Sequence, residues 1–180
     1  MPFLRENAIG YLSCAFELTR QFLFKWTVNW RFVGEETFLA GAFTLNLLAL
    51  HIVLVLAFMA ARWINPSRCE IDTFATKFLQ GTLPQSVLSS GFITKTLLTS
   101  LTVGMLCARS LHYQFFAYLA WATPLLLWQS GLHPVMIYAV WAVQEVAWNV
   151  YPSTTPSSVA VVLCLGVQVV APLLDTRWDH

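Results

Sequence analysis

The densest run of hydrogen-bonding side chains in this sequence is Ala108-Arg109-Ser110-Leu111-His112-Tyr113-Gln114-Phe115-Phe116, a short polar stretch between two apolar ones. Arg109 and His112 stand about one helical turn apart and can face the same way. Arginine offers a planar fork of donors that fits a phosphate. Imidazole donates a proton or a hydrogen bond near neutral pH. Tyr113 and Gln114 add neutral donors, so the set can hold an anionic group. The plainer reading of the same residues is a solvated turn with a snorkelling Arg109.

A second polar cluster is Gln144, Glu145 and Asn149. Glu145 falls near the end of an otherwise apolar stretch, where a carboxylate in hydrocarbon costs about 2.5–3.5 kcal/mol. It must face protein, water or a partner. Hydrogen bonding, with Asn149 four residues on, and substrate contact both remain open. His51, with Asn46, reads as polar glue between helices rather than as a catalyst.

The absences are also informative. No GxSxG, HExxH or P-loop pattern occurs. Cys14, Cys69, Cys107 and Cys164 are too scattered for a zinc or redox motif, and no metal site or cofactor is expected. Glu35-Glu36 is the one close carboxylate pair on its side, and adjacent acids make no acid/base couple. The chain holds binding groups without an evident catalytic base.

These residues must be positioned by membrane-embedded elements. Of 180 residues, 57% are hydrophobic and 11% charged, with mean hydropathy +0.63. Soluble domains carry about 25% charged residues. With a net charge of +1, the composition excludes a soluble globule, a disordered tail and a nucleic-acid binder. The expected fold is an all-α integral membrane protein, a polytopic bundle of about five transmembrane helices. Spans are expected near 38–61, 89–108, 115–129, 134–150 and 157–174 within a transmembrane domain of residues 38–180. Pro134 and Pro156 suit first-turn positions, Pro124 is expected to kink the third span, and Ser130-Gly131-Leu132-His133 reads as a tight turn. Trp63, Trp121, Trp128, Trp148 and Trp178 fit an aromatic belt at span ends. Met1 to Asn7 lacks the apolar core and cleavage pattern of a secretory signal peptide.

Residues 1–37 differ. Between Tyr11 and Phe32, Leu12, Phe16, Leu23, Trp26 and Trp30 recur among Glu17, Arg20, Lys25 and Arg31. The spacing predicts one or two amphipathic helices in the interface. Such a segment serves either as a lid or groove beside a lipid or as a surface helix joining spans. Five basic residues fall on each side of the expected membrane, so charge does not set the orientation.

Three segments resemble one family. Tyr11-Leu12-Ser13, Phe16-Glu17-Leu18 and Arg20 to Phe32 resemble a loop of the dolichyl-phosphate-mannose-dependent alpha-1,3-mannosyltransferases of asparagine-linked glycosylation. Arg109-Ser110-Leu111-His112-Tyr113-Gln114-Phe115 resembles their Ser-Arg-Ser-Leu-His-Tyr-Gln-Phe signature, and Glu145, Trp148-Asn149 and Tyr151-Pro152-Ser153-Thr154 resemble their end motif. Cys14 stands where the family usually has arginine, and Ala108 where it usually has serine.

The resemblance implies a multi-span GT-C glycosyltransferase of the endoplasmic reticulum membrane. It implies inverting transfer of mannose from a dolichyl phosphate mannose donor to a lipid-linked pentamannosyl chitobiose acceptor. Residues 1–37 and the 109–114 loop would be lumenal. The match is to the family's C-terminal half, so the catalytic base is expected in an N-terminal half and no catalytic residue in this chain. The implied substrate-binding residues are Arg109, His112, Tyr113, Gln114, Arg20, Lys25, Trp30, Glu145 and Asn149. The competing reading is a non-catalytic membrane fragment or partner subunit. A small transporter is disfavoured by the shortage of intramembrane charge.

Overall fold

The computed structural model describes residues 6–15, 23–64, 71–82 and 88–175. Among these, every regular element is helical. The short helix α1 (Ala8–Ala15) is followed by two 3-10 turns, Phe24–Trp26 and Arg31–Val33, and by α2 (Glu35–Leu39). Helix α3 (Gly41–Phe58) passes directly into a wide π-helical turn, Met59–Trp63. Then come α4 (Ile71–Leu79), α5 (Ser90–Cys107), the 3-10 turn Tyr113–Phe115, α6 (Phe116–Gln129), α7 (Pro134–Trp148) and α8 (Thr155–Leu174).

Local chemistry sets the helix starts. Ser89 caps α5 by accepting the Phe92 N–H at 3.1 Å. His133 caps α7 through Nδ1, with Pro134 in the first turn, where its missing N–H costs nothing. Thr154 and Ser157 form a reciprocal capping box at α8, with Pro156 just inside it. Between α6 and α7 the chain reverses through Gly131, whose φ of +71° is one that residues with a Cβ rarely adopt. Pro124 lies inside α6, which continues through it to Gln129.

Helix α8 is the packing centre, touching α5, α6 and α7, and α3 packs on α5. Its buried face includes Ser158, Val161, Leu165, Gln168, Val169 and Pro172, at helical three- and four-residue spacings. A closed hydrogen-bond ring lies in the core among three helices. Gln144 of α7 donates through Nε2 to Thr123 Oγ1 of α6 at 2.7 Å, and Thr123 donates to Gln168 Oε1 of α8 at 2.8 Å. Gln168 Nε2 then donates to Gln144 Oε1. All three side chains are buried, and each satisfies the next. At the far end of the bundle, Arg62 Nε donates to the Leu173 carbonyl at 2.8 Å, and Trp63 Nε1 donates to Thr99 Oγ1.

Three helical stretches are long and apolar enough to cross a membrane: Gly41–Trp63, Ser90–Cys107 and Thr155–Leu174. They coincide with the first, second and fifth expected spans. The third and fourth are helices of 14 and 15 residues. At about 1.5 Å per residue they fall short of a ~30 Å hydrocarbon layer unless extended or set in a thinned one. The chain is an all-α membrane protein in class.

Two expectations take a different local form. Leu23–Val33 is irregular rather than an amphipathic helix, and its centre, Thr27-Val28-Asn29, is fully buried. Trp148 is buried against Phe116, with ring centroids 5.6 Å apart, rather than placed in a belt, whereas Trp121 is 86% exposed. Arg20 and Trp178 lie outside the described residues.

Candidate functional site

Three of the motif segments meet at one end of the bundle, and Asn29 is what joins them. Its Nδ2 donates to the Ala108 carbonyl at 2.7 Å. Its Oδ1 accepts the Leu111 N–H and the Thr27 hydroxyl, each at 2.9 Å. Its backbone carbonyl accepts the Ser158 hydroxyl of α8 at 2.7 Å, and Ser158 Oγ in turn accepts the Arg31 N–H at 2.8 Å. The neighbouring Val28 donates its N–H to the Leu111 carbonyl at 2.9 Å and accepts from Ser153 Oγ at 3.4 Å. Residues 27–31, 108–111 and 153–158 are thereby fixed against one another. A buried irregular backbone needs such partners, because an unmatched polar group there costs about 1–3 kcal/mol.

Arg109 is held on this frame. Its guanidinium lies 5.2 Å from the Phe38 ring centroid, and Nη1 donates to Thr44 Oγ1, in the first turns of α3, at 3.0 Å. Arg31 is placed similarly over Phe24, at 5.2 Å, with Nη1 donating to the Lys25 carbonyl at 3.3 Å. Phe24 and Phe38 meet edge to face at 5.3 Å. Two guanidinium groups thus flank one phenylalanine pair, each drawn to the face of a ring. From the top of α3, Leu45, Leu48, Ile52 and Leu56 form an exposed apolar stripe at helical spacing.

The other expected residues distribute around this frame. His112 is half-buried and stacks on Phe115 at 6.5 Å. Tyr113 donates its hydroxyl to the Val150 carbonyl at 2.9 Å and meets Tyr151 edge-on at 5.6 Å. Burial is the main cause that raises the Tyr113 phenol above its ordinary pKa; Tyr151 adds to the rise, and Ser153 and Arg31 oppose it. The phenol is therefore a proton donor at neutral pH. Gln114 is exposed. Lys25 is exposed and lies over Trp26 at 5.5 Å, and Trp26 stacks with Tyr151 at 6.3 Å. Trp30 packs against Phe43 and Phe32, and its Nε1 is buried without a hydrogen-bond partner among the described residues, as is Ser110 Oγ. Glu145 is half-buried, and Asn149 donates to its backbone carbonyl at 2.7 Å. The i+4 relation thus closes the helix end.

The sequence reading missed Asn29, Ser158 and Arg31. The available signal for Asn29 was its place in Trp26-Thr27-Val28-Asn29-Trp30, where an amide among apolar neighbours must find partners once buried. Among the described residues no three His, Cys, Asp or Glu side chains converge as a metal site would need. What the arrangement offers is cationic and neutral donors on an aromatic frame beside an apolar helix face. That combination suits an anion carried on a lipid.

No solved structure matches this chain. Sequence relatives are plentiful. The Dol-P-Man:Man(5)GlcNAc(2)-PP-Dol alpha-1,3-mannosyltransferase of Neurospora crassa is 52% identical over 191 residues, covering 99% of this chain and 43% of the relative. The mouse protein of the same name is 43% identical, over 93% of this chain and 39% of its own length. That of Arabidopsis thaliana is 35% identical, over 96% and 42%. The chain therefore spans about 40% of the length of the curated relatives it matches. A family model described as ALG3 protein matches residues 1–158. With the resembling motifs brought together by Asn29 and that match covering most of the sequence, the chain belongs to the ALG3 protein family.

Proposed function

We propose that this chain supplies the donor-binding part of a dolichyl-phosphate-mannose-dependent alpha-1,3-mannosyltransferase acting on lipid-linked pentamannosyl chitobiose. The observation that carries the reading is the position of Arg109. Its guanidinium is fixed by Phe38 and Thr44 at the head of α3, where the exposed stripe of Leu45, Leu48, Ile52 and Leu56 begins. A polyprenyl tail lying on that stripe delivers its phosphate to Arg109.

In an inverting transfer, the acceptor hydroxyl attacks the anomeric carbon as the bond from that carbon to the phosphate oxygen breaks. Negative charge grows on dolichyl phosphate as it leaves. Arg109 neutralises it through a charge-assisted fork, with His112 as a further donor, while Tyr113, its hydroxyl donated to the Val150 carbonyl, holds the loop beside the substrate. Because the guanidinium is already fixed, little reorganisation is needed when the charge develops. Lys25 and Arg31 extend the positive field on the same face, and Arg20 belongs to the same segment. Gln114, Trp30, Glu145 and Asn149 are assigned to the substrate-facing rim. No residue of this chain is assigned as the base for the acceptor hydroxyl.

The same reading makes residues 1–37 an interfacial segment and 38–180 a membrane domain in which α6 and α7 also cross, giving five spans. It places the Arg109 loop on the lumenal face of the endoplasmic reticulum membrane. The test is Arg109→Ala in a full-length family member carrying these residues. Mannosyl transfer should fall at least tenfold further than protein level; equal loss of both would make Arg109 a structural residue. A tenfold rate loss corresponds to about 1.4 kcal/mol of transition-state stabilisation.

A further inference from the structure

The opposite end of the bundle carries a second polar feature. Lys95, in the second turn of α5, and Asp175, which caps the end of α8, have side chains only 10% and 5% exposed, with Nζ 3.8 Å from Oδ2. They line a cavity of about 510 Å³ together with Trp128 and Gln129. Gln129 Oε1 is buried with no hydrogen-bond partner among the described residues. Two apolar cavities adjoin it. One, of about 820 Å³, runs along α8 and shares Gly131, Leu132 and Asp175 with the polar cavity. The other, of about 360 Å³, lies between α6 and α7 and shares Trp128, Pro134 and Ile137 with it.

We propose that this end of the bundle is a binding site for one phosphatidylethanolamine molecule. Among the described residues the wall carries one cation and one anion, paired with each other, so a zwitterionic headgroup adds to the pair without upsetting its charge balance: phosphate towards Lys95, ammonium towards Asp175. Gln129 Oε1 can accept from an N–H or O–H donor. An ethanolamine ammonium has three N–H groups and a choline has none. The two adjoining apolar cavities match two acyl chains. A polyprenyl phosphate brings one chain and no cation, and an anionic phospholipid sets uncompensated charge beside Asp175. Trp128, 70% exposed, provides the indole that favours the headgroup level. The polar cavity shares no lining residue with the Arg109, Phe38 and Thr44 cluster.

The test is native mass spectrometry of the full chain purified from membranes, delipidated and titrated with phosphatidylethanolamine, phosphatidylcholine, phosphatidylglycerol and dolichyl phosphate. One phosphatidylethanolamine should be retained about tenfold better than phosphatidylcholine, the scale of a lost hydrogen bond to a charged group. Gln129→Leu should reduce it to the phosphatidylcholine level while leaving the ion pair intact. Asp175→Asn should abolish the preference; if that variant misfolds, Gln129→Leu decides. Equal retention of the two zwitterions, tighter binding of phosphatidylglycerol or dolichyl phosphate, or wild-type behaviour of Gln129→Leu would overturn the proposal.

Discussion

Asn29 and Leu111 are joined directly, the Leu111 N–H donating to the Asn29 side chain at 2.9 Å, and the Leu111 carbonyl accepts from the neighbouring Val28 at the same distance. The loop that carries Arg109 is therefore gripped on both sides of the arginine, at Ala108 and at Leu111. Its conformation depends on a residue about eighty positions earlier.

Replacing Asn29 with leucine should be among the more damaging single changes in the chain. It keeps the volume but strands the Ala108 carbonyl and the Leu111 N–H in a buried setting. The expected cost is about 3 kcal/mol. Thermal unfolding of the detergent-solubilised protein, followed by limited proteolysis at the 108–112 loop, reads it. Unchanged melting would remove Asn29 from its organising role.

Arg109→Lys separates charge from geometry. Lysine keeps the cation but loses the planar fork and the flat face over Phe38. In a full-length family member the KM for the lipid donor should rise about tenfold, or ~1.4 kcal/mol, with protein level unchanged. A wild-type KM would mean that only net charge matters there.

The Thr123–Gln144–Gln168 ring should show the asymmetry of buried polar networks. Thr123→Val alone leaves Gln168 Oε1 and Gln144 Nε2 each short of a partner, at a cost of about 1–2 kcal/mol. Adding Gln144→Leu and Gln168→Leu removes the stranded groups and should recover most of that loss. Comparing the midpoints of denaturation of the single and triple variants checks this. A triple variant weaker than the single one would refute it.

Tyr113 sets a pH expectation. Its phenol is raised above 10 in the folded protein, chiefly by burial, so the folded state holds this proton more tightly than the unfolded chain. The contribution is complete below about pH 10, the unfolded value, and is lost as pH rises through the folded one. Stability measured across pH 9–12 should fall over that alkaline range, and the fall should be shallower in Tyr113→Phe. Between about pH 6 and 9 Tyr113 should impose no slope at all.

Composition made the membrane class plain, and the longest spans were legible from uninterrupted apolar runs such as Phe38 to Ala61. The polar loop at Arg109 was legible for the same reason: few polar residues exist, so their clustering stands out. What pattern did not reveal was pairing across long separations. Nothing local in Asn29 names Ala108 or Ser158 as its partner, and nothing in Gln144 names Thr123. Periodicity also misread Leu23–Val33. Leu23, Trp26 and Phe32 are exposed, while the buried centre is Thr27-Val28-Asn29, clasped by other segments, so the apolar recurrence there does not mark the buried face of a helix.

The glutamine ring also bears on biosynthesis. Helices α6 and α7 are short, and each carries an amide or hydroxyl whose dehydration in lipid is unfavourable until the third helix arrives with Gln168. On the five-span reading proposed above, α6 and α7 are fully matched in lipid only once α8 brings Gln168, so a chain truncated before Gln168 should be recovered from membranes in lower yield than one that includes it, as a pulse-chase would read.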